Sequence, residues 1–174
     1  MKILIKKYGS IAALIVVGIP VIQNLITGTS KESFALGEIV GYTTMVIAMA
    51  TVFVAMKHYR DNLNNGAMTF GQGIRLGLGI SAVGGVAFAI YNAVFVTLIM
   101  PDFNKQYFSY QTGLEVGTDE FQSQFNAMME TSGWMFSAVG GSILMFFTVF
   151  LIGFVESLIA AMIFQKKVPI NGIV

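Results

Sequence analysis

The sequence WMFSAVGGSILMFFTVFLIGFVESLIAAMIF, residues 134–164, decides the fold of this chain. It is longer than the roughly 20 apolar residues that cross a ~30 Å hydrocarbon layer, and Glu156 is its only charged side chain. Similar apolar stretches precede it at residues 8–27, 34–56 and 73–100. Because continuous apolar runs of this length cross lipid as helices, the sequence predicts an all-α protein. We expect a four-helix transmembrane bundle that forms one domain over residues 1–174.

The composition agrees with a membrane location and excludes several kinds of site. Charged residues make up 11% of the chain, against about 25% in soluble domains. The absence of cysteine excludes disulfides, thiolate metal sites and a cysteine nucleophile. His58 is the single histidine, which leaves too few ligands for a zinc or haem site of the usual kind. We therefore expect no catalytic residue, no cofactor and no metal.

The distribution of basic residues predicts the orientation. Lysine and arginine concentrate on the side of the two termini and of the loop between the second and third spans: Lys2, Lys6, Lys7, Lys57, Arg60, Arg75, Lys166 and Lys167. Only Lys31 and Lys105 fall on the opposite side. By the positive-inside rule, both termini are expected in the cytoplasm.

The connection over residues 101–133 is too long for a structureless loop in a compact protein. Apolar side chains recur in it at i, i+4, i+7 and i+8: Phe121, Phe125, Met128 and Met129. This spacing predicts an extra amphipathic helix over residues 119–132 on the outer surface. We interpret its apolar side as a docking or lid face. An aromatic patch precedes it at the same depth: Phe103, Tyr107, Phe108 and Tyr110. This patch is typical of an interfacial aromatic belt, with a lid or docking face as the alternative. The acidic residues of this connection would repel nucleic acid.

Ionisable residues inside the spans are the candidate functional residues, because they are costly in lipid. Glu156 lies some two turns inside the cytoplasmic end of the fourth span, and Arg75 enters the third span from the same side. We predict that the two form an ion pair that orients the spans. The alternative is an unpaired Glu156 that binds and releases protons.

A second group of polar residues lies nearer the outer side. Glu38 is about one turn inside the second span, while Tyr91 and Asn92 lie in the third. An amide in lipid must find a partner, whereas a shallow glutamate can reach water by extending its side chain. If they line one path with Glu156, these residues would mark a polar ladder across the membrane.

The third span is rich in glycine and opens with the segment TFGQGIRLG, residues 69–77. The absence of a preceding strand argues against a phosphate-binding loop, so we interpret the glycines as a close helix-packing surface. With four spans and the long outer connection, this segment resembles an uncharacterised bacterial family of small membrane proteins. The family is common in Bacteroidetes and is described only as a domain of unknown function. The resemblance implies the bacterial inner membrane and no known enzymatic activity.

Together, these features favour a noncatalytic multi-pass membrane protein that acts by binding, as an accessory subunit or as a lipid-contacting scaffold. A small transporter or proton-coupled carrier that uses Glu156 and Arg75 is the alternative. An enzyme acting on a lipid-linked substrate is a third hypothesis. Expected partners are the lipid bilayer, a larger membrane-protein complex or further copies of the chain.

Overall fold

A computed structural model describes residues 1–28 and 33–166, and this part of the chain is helical. Its α-helices are α1 Lys2–Thr27, α2 Phe34–Met49, α3 Thr51–His58, α4 Phe70–Val94, α5 Phe103–Thr112, α6 Asp119–Phe136 and α7 Ala138–Phe164. Four helical segments are long and apolar enough to cross a membrane: Lys2–Thr27, Phe34–Leu63, Phe70–Ile99 and Ala138–Phe164. The predicted all-α fold is confirmed, and the four predicted spans correspond to four candidate membrane-spanning segments.

The helix bounds differ from the apolar runs for local reasons. The second span consists of α2 and α3, and a π-helical turn, Tyr59–Leu63, extends it beyond the predicted residue 56. The third span begins at Phe70, because Thr69 and Gln72 form a capping box. In that motif each side chain satisfies the other residue's free backbone N–H group.

The fourth apolar run is divided between two helices. α6 ends at Phe136, and Ser137 adopts an extended conformation with a ψ of 155°. The Ser137 hydroxyl then accepts a hydrogen bond from the backbone N–H of Gly140 at 3.0 Å, which caps the start of α7. The span therefore begins at Ala138, while residues 134–136 belong to the preceding helix.

α4 lies at the centre of the bundle and uses its glycines as contact points. A Cβ atom on Gly79 would meet Ile5 of α1, and one on Gly84 would meet Met49 of α2. A Cβ atom on Gly73 would meet Ala161 of α7. Glycine lets helix backbones approach closely where lipid gives no hydrophobic drive for association. These contacts support the interpretation of the glycines as a packing surface.

The contact between α4 and α7 contains a reciprocal pair of serines and glycines. Ser157 of α7 lies over Gly77 of α4, and Ser81 of α4 lies over Gly153 of α7. Each hydroxyl donates to the carbonyl four residues earlier in its own helix, Ser81 to Gly77 at 2.9 Å and Ser157 to Gly153 at 2.5 Å. Both serines are fully buried. The two polar groups are thus satisfied locally, and the helices close against each other.

The two ends of the bundle are closed differently. At the end that carries the N-terminus, called the basic end, a backbone bridge joins Met68 to Lys166 with N···O distances of 3.0 and 2.8 Å. At the opposite end, called the loop end, α5 and α6 lie between α4 and α7 in the chain. The loop end contains most of the aromatic ring contacts.

Candidate functional site

Glu156 is the acidic side chain that the structure leaves least satisfied. It lies on α7 next to Ser157, at the level of Gly77 on α4. Its Oε2 atom is buried and has no hydrogen-bond partner. Because an unsatisfied polar group in hydrocarbon costs free energy, we do not expect packing alone to explain this carboxyl group.

The predicted ion pair between Arg75 and Glu156 is wrong. Arg75 is exposed, and the salt bridge found among the described residues joins Arg60 to Asp61 instead. The reason is helical geometry. Arg75 lies midway between Gly73 and Gly77, which both face α7, and two residues turn a helix by about 200°. Arg75 therefore points away from α7 and from Glu156.

Glu38 has the partners that Glu156 lacks. Its Oε1 atom accepts a hydrogen bond from the Tyr107 hydroxyl at 2.6 Å and one from Gln111 Nε2 at 3.1 Å. Burial, followed by the hydrogen bond to Glu38, raises the pKa of Tyr107 to about 12. The same tyrosine packs edge-on against Phe34 of α2, with ring centroids 5.7 Å apart. This network joins α5 to the start of the second span.

Tyr91 and Asn92 each find a separate partner. Asn24 Nδ2 donates to the Tyr91 hydroxyl at 2.8 Å, which links α1 to α4. Asn92 Nδ2 donates to the Ser142 hydroxyl at 3.2 Å, which links α4 to α7. The structure places the predicted polar residues in separate contacts between different helices, so the polar ladder with Glu38 and Glu156 is not formed.

The predicted docking face is largely inaccessible. Phe121 is 1% exposed and Phe125 is 9% exposed. Their rings stack on each other and both meet Phe108 of α5 at centroid distances of 5.5 Å. Met128 and Met129 are partly exposed. The two phenylalanines thus hold α5 and α6 together instead of presenting a free surface, and the docking interpretation is wrong for them.

A groove of about 580 Å³ lies between α4 and α7 in the half of the bundle near the loop end. Its lining includes Ala89 and Ala93 of α4, with Ala138, Ser142 and Phe146 of α7. A Cβ atom on Gly85 would lie 2.9 Å from the Phe146 ring and 3.1 Å from the Phe146 carbonyl oxygen, so the two helices are in close contact at this end of the groove. Other lining residues, Ile90 and Val139 among them, are 61% and 72% exposed. The groove is therefore apolar and open to the outside of the bundle.

Comparison with protein families gives one match. The model of a family described as a protein of unknown function, DUF4199, matches residues 7–166. The chain belongs to the DUF4199 family. The resemblance to a family of unknown function is thereby confirmed, while the bacterial origin stays a prediction. No curated protein and no solved structure matches the chain.

In this DUF4199 chain, sequence reasoning missed the partners of the polar residues. Tyr107 and Gln111 are four residues apart, which places them on one side of a helix, but α5 itself was not expected. Nothing in the sequence marked Ser142 as the partner of Asn92, because a serine among small residues is common in a packed span. Over residues 1–28 and 33–166, no group of three or more metal-ligating side chains comes together.

Proposed function

We propose that this DUF4199 protein acts by binding within the membrane rather than by catalysis, as a scaffold that holds a lipid acyl chain. The groove between α4 and α7 is the observation that carries the proposal. In this proposal the chain resides in the bacterial inner membrane with both termini in the cytoplasm, because its lysines and arginines concentrate at the basic end.

The chemistry of the groove favours an acyl chain. Its lining belongs to two helices that are long and apolar enough to span a membrane. It contains no charged residue, and its volume of about 580 Å³ falls in the ~300–1,000 Å³ range of ligand pockets. The Ser142 hydroxyl in the lining is already hydrogen-bonded by Asn92. A hydrocarbon chain can fill such a groove without leaving polar groups unpaired.

Photo-crosslinking tests this proposal directly. The full-length protein is reconstituted in bilayers that contain a phospholipid with a photoreactive group in its acyl chain. We expect crosslinks on peptides that carry Ala89, Ala93 and Phe146. Ala93→Trp should fill the groove and reduce these crosslinks at least fivefold, because the indole occupies the space of the chain.

Ala50→Trp is the matched control, since Ala50 is exposed on the second span, away from the groove. It should leave the crosslinks on α4 and α7 unchanged. Equal labelling of all exposed helix faces in the wild type would contradict the proposal. Crosslinks from the groove to another polypeptide would instead support the accessory-subunit role, or a homo-oligomer if that polypeptide is a second copy.

A proton-coupled carrier is the second candidate, and the buried Oε2 atom of Glu156 without a partner favours it. Under this hypothesis Glu156 acts without Arg75, which points away from it. Glu156→Gln should abolish pH-dependent flux in liposomes, while Glu38→Gln should retain it because Glu38 is held in a hydrogen-bond network. Flux that is unchanged in Glu156→Gln would remove this candidate.

A further inference from the structure

Among residues 1–28 and 33–166, basic side chains outnumber acidic ones at the basic end. Lysines and an arginine are exposed there on three helical segments and after α7: Lys2, Lys6, Lys7, Lys57, Arg75 and Lys166. Asp61 is engaged by Arg60, with an Nε···Oδ1 distance of 2.6 Å and an Nη2···Oδ2 distance of 3.2 Å. None of the exposed lysines forms a salt bridge within residues 1–28 and 33–166. The surface therefore favours an anionic partner.

Within this surface, α1 and α3 bring three side chains together. The Tyr8 hydroxyl is 3.0 Å from His58 Nδ1, and the two rings meet edge-on with centroids 6.0 Å apart. Lys7 Nζ lies 5.5 Å from the centroid of the Tyr8 ring. When the Tyr8 hydroxyl donates to Nδ1, neutral His58 carries its proton on Nε2, which is then a hydrogen-bond donor. Lys7 and His58 thus both contact Tyr8, and both carry N–H donors.

An apolar surface continues from these donors along the same side of α1. Ile11 and Leu14 follow Lys7 by four and seven residues, which places them on one helical face, and they are 38% and 73% exposed. Val54 precedes His58 by one turn on α3 and is 56% exposed. A molecule that suits this surface has an anionic group at one end and hydrocarbon below it.

We propose that Lys7 and His58 bind the phosphodiester headgroup of an anionic phospholipid, whose chains cover Ile11, Leu14 and Val54. Lys57, next to His58 in the chain, adds positive charge at the same end. Tyr8 positions the imidazole through its hydrogen bond. The inference rests on the proposed function in treating the protein as lipid-binding, but this site lies at the other end of the bundle from the groove.

Native mass spectrometry of the full-length protein in detergent tests the inference with phosphatidylglycerol, phosphatidylcholine and inorganic phosphate as probes. We expect retention of phosphatidylglycerol over phosphatidylcholine, and no displacement by inorganic phosphate. Lys7→Gln should weaken the apparent affinity for phosphatidylglycerol about fivefold, the contribution typical of one lysine at a lipid surface. His58→Gln should weaken it by a similar factor.

Lys6→Gln is the matched control, because it removes the same charge from the neighbouring position, which has no contact with Tyr8 or His58 in the described structure. It should weaken the affinity for phosphatidylglycerol less than Lys7→Gln does, and all variants should keep the helicity of the wild type. Equal losses in Lys6→Gln and Lys7→Gln would overturn the site. Equal retention of phosphatidylcholine and phosphatidylglycerol would also overturn it, as would displacement of phosphatidylglycerol by inorganic phosphate. Ala93→Trp should not alter headgroup binding, so failure here and failure of the groove proposal are distinguishable.

Discussion

The contact between α4 and α7 has two halves that use similar small residues but differ in closeness. Near the basic end, serines lie directly over glycines on the facing helix, at Gly77 and Gly153, and leave no room for a side chain there. Near the loop end, the facing residues include Ala89, Ala93 and Ser142, and a groove opens between the helices. Small side chains permit close approach, but they do not by themselves enforce it.

The two halves also differ in the way in which their polar groups are satisfied. Phe146 contacts α4 at Gly85 with both its ring and its carbonyl oxygen, and the groove lies beyond this contact toward the loop end. There, the Asn92 amide bridges to Ser142 on the other helix. In the half near the basic end, called the tight half, Ser81 and Ser157 each donate a hydrogen bond within their own helix. Neither hydroxyl therefore needs a partner on the facing helix. A tight half can thus hold the bundle together while the other half leaves the groove open.

The largest expected effect comes from filling the tight half. Gly77→Val would place methyl groups against Ser157 and Met56 and should lower the free energy of unfolding by about 3 kcal/mol, as overpacking does. Gly41→Val is the control, because a Cβ atom there has nothing within 4 Å. Unfolding in sodium dodecyl sulfate measures both variants. Similar losses in both would remove the distinction between the halves.

The next largest effect is expected at Glu156, whose buried carboxyl group should lower the free energy of unfolding. Glu156→Met removes the buried Oε2 atom that has no partner and should raise the free energy of unfolding by about 1–2 kcal/mol. Glu38→Met should lower it, because Tyr107 and Gln111 lose their acceptor. The same detergent titration applies. Destabilisation by Glu156→Met as large as that by Glu38→Met would mean that Glu156 is well satisfied.

The bond across the open half is expected to contribute less. A double-mutant cycle with Asn92→Ala and Ser142→Ala should give a coupling of about 0.6 kcal/mol, the mean found for hydrogen bonds between membrane helices. The bond is 3.2 Å long. A coupling near zero would show that Phe146 and the surrounding contacts hold the open half without it.

The smallest expected effect is spectroscopic and concerns the loop end. The pKa of Tyr107 is raised to about 12, above its usual value of about 10, so the folded protein retains this proton when the unfolded chain loses it. Stability should therefore fall as pH rises through the interval between these values. Phenolate absorbance should show a late-titrating component that is smaller by one tyrosine in Tyr107→Phe. Titration of every exposed tyrosine together with Tyr107 would contradict the network.

The four spans could be predicted from the sequence because a membrane helix must be apolar over its own length. Hydropathy along one segment is a local property of the sequence. The bounds of α6 could be predicted only in part. Hydropathy is continuous through the run that begins at Trp134, and only the extended conformation of Ser137 divides this run into two helices. Sequence reasoning missed α5, where Tyr107 and Gln111 face Glu38. Their spacing is visible in the sequence, but their common partner is 69 residues from Tyr107 and 73 from Gln111.

The sequence by itself determined four apolar helices, because the hydropathy of each is carried by consecutive residues, and it determined the family, whose model matches residues 7–166. Only the tertiary structure decided which way Arg75 points. Its direction follows from which helix the glycines on either side of it face, and a glycine carries no side chain that reveals its neighbour. The missing partner of Glu156 Oε2 and the groove between α4 and α7 likewise depend on which helix faces lie together, which consecutive residues do not show.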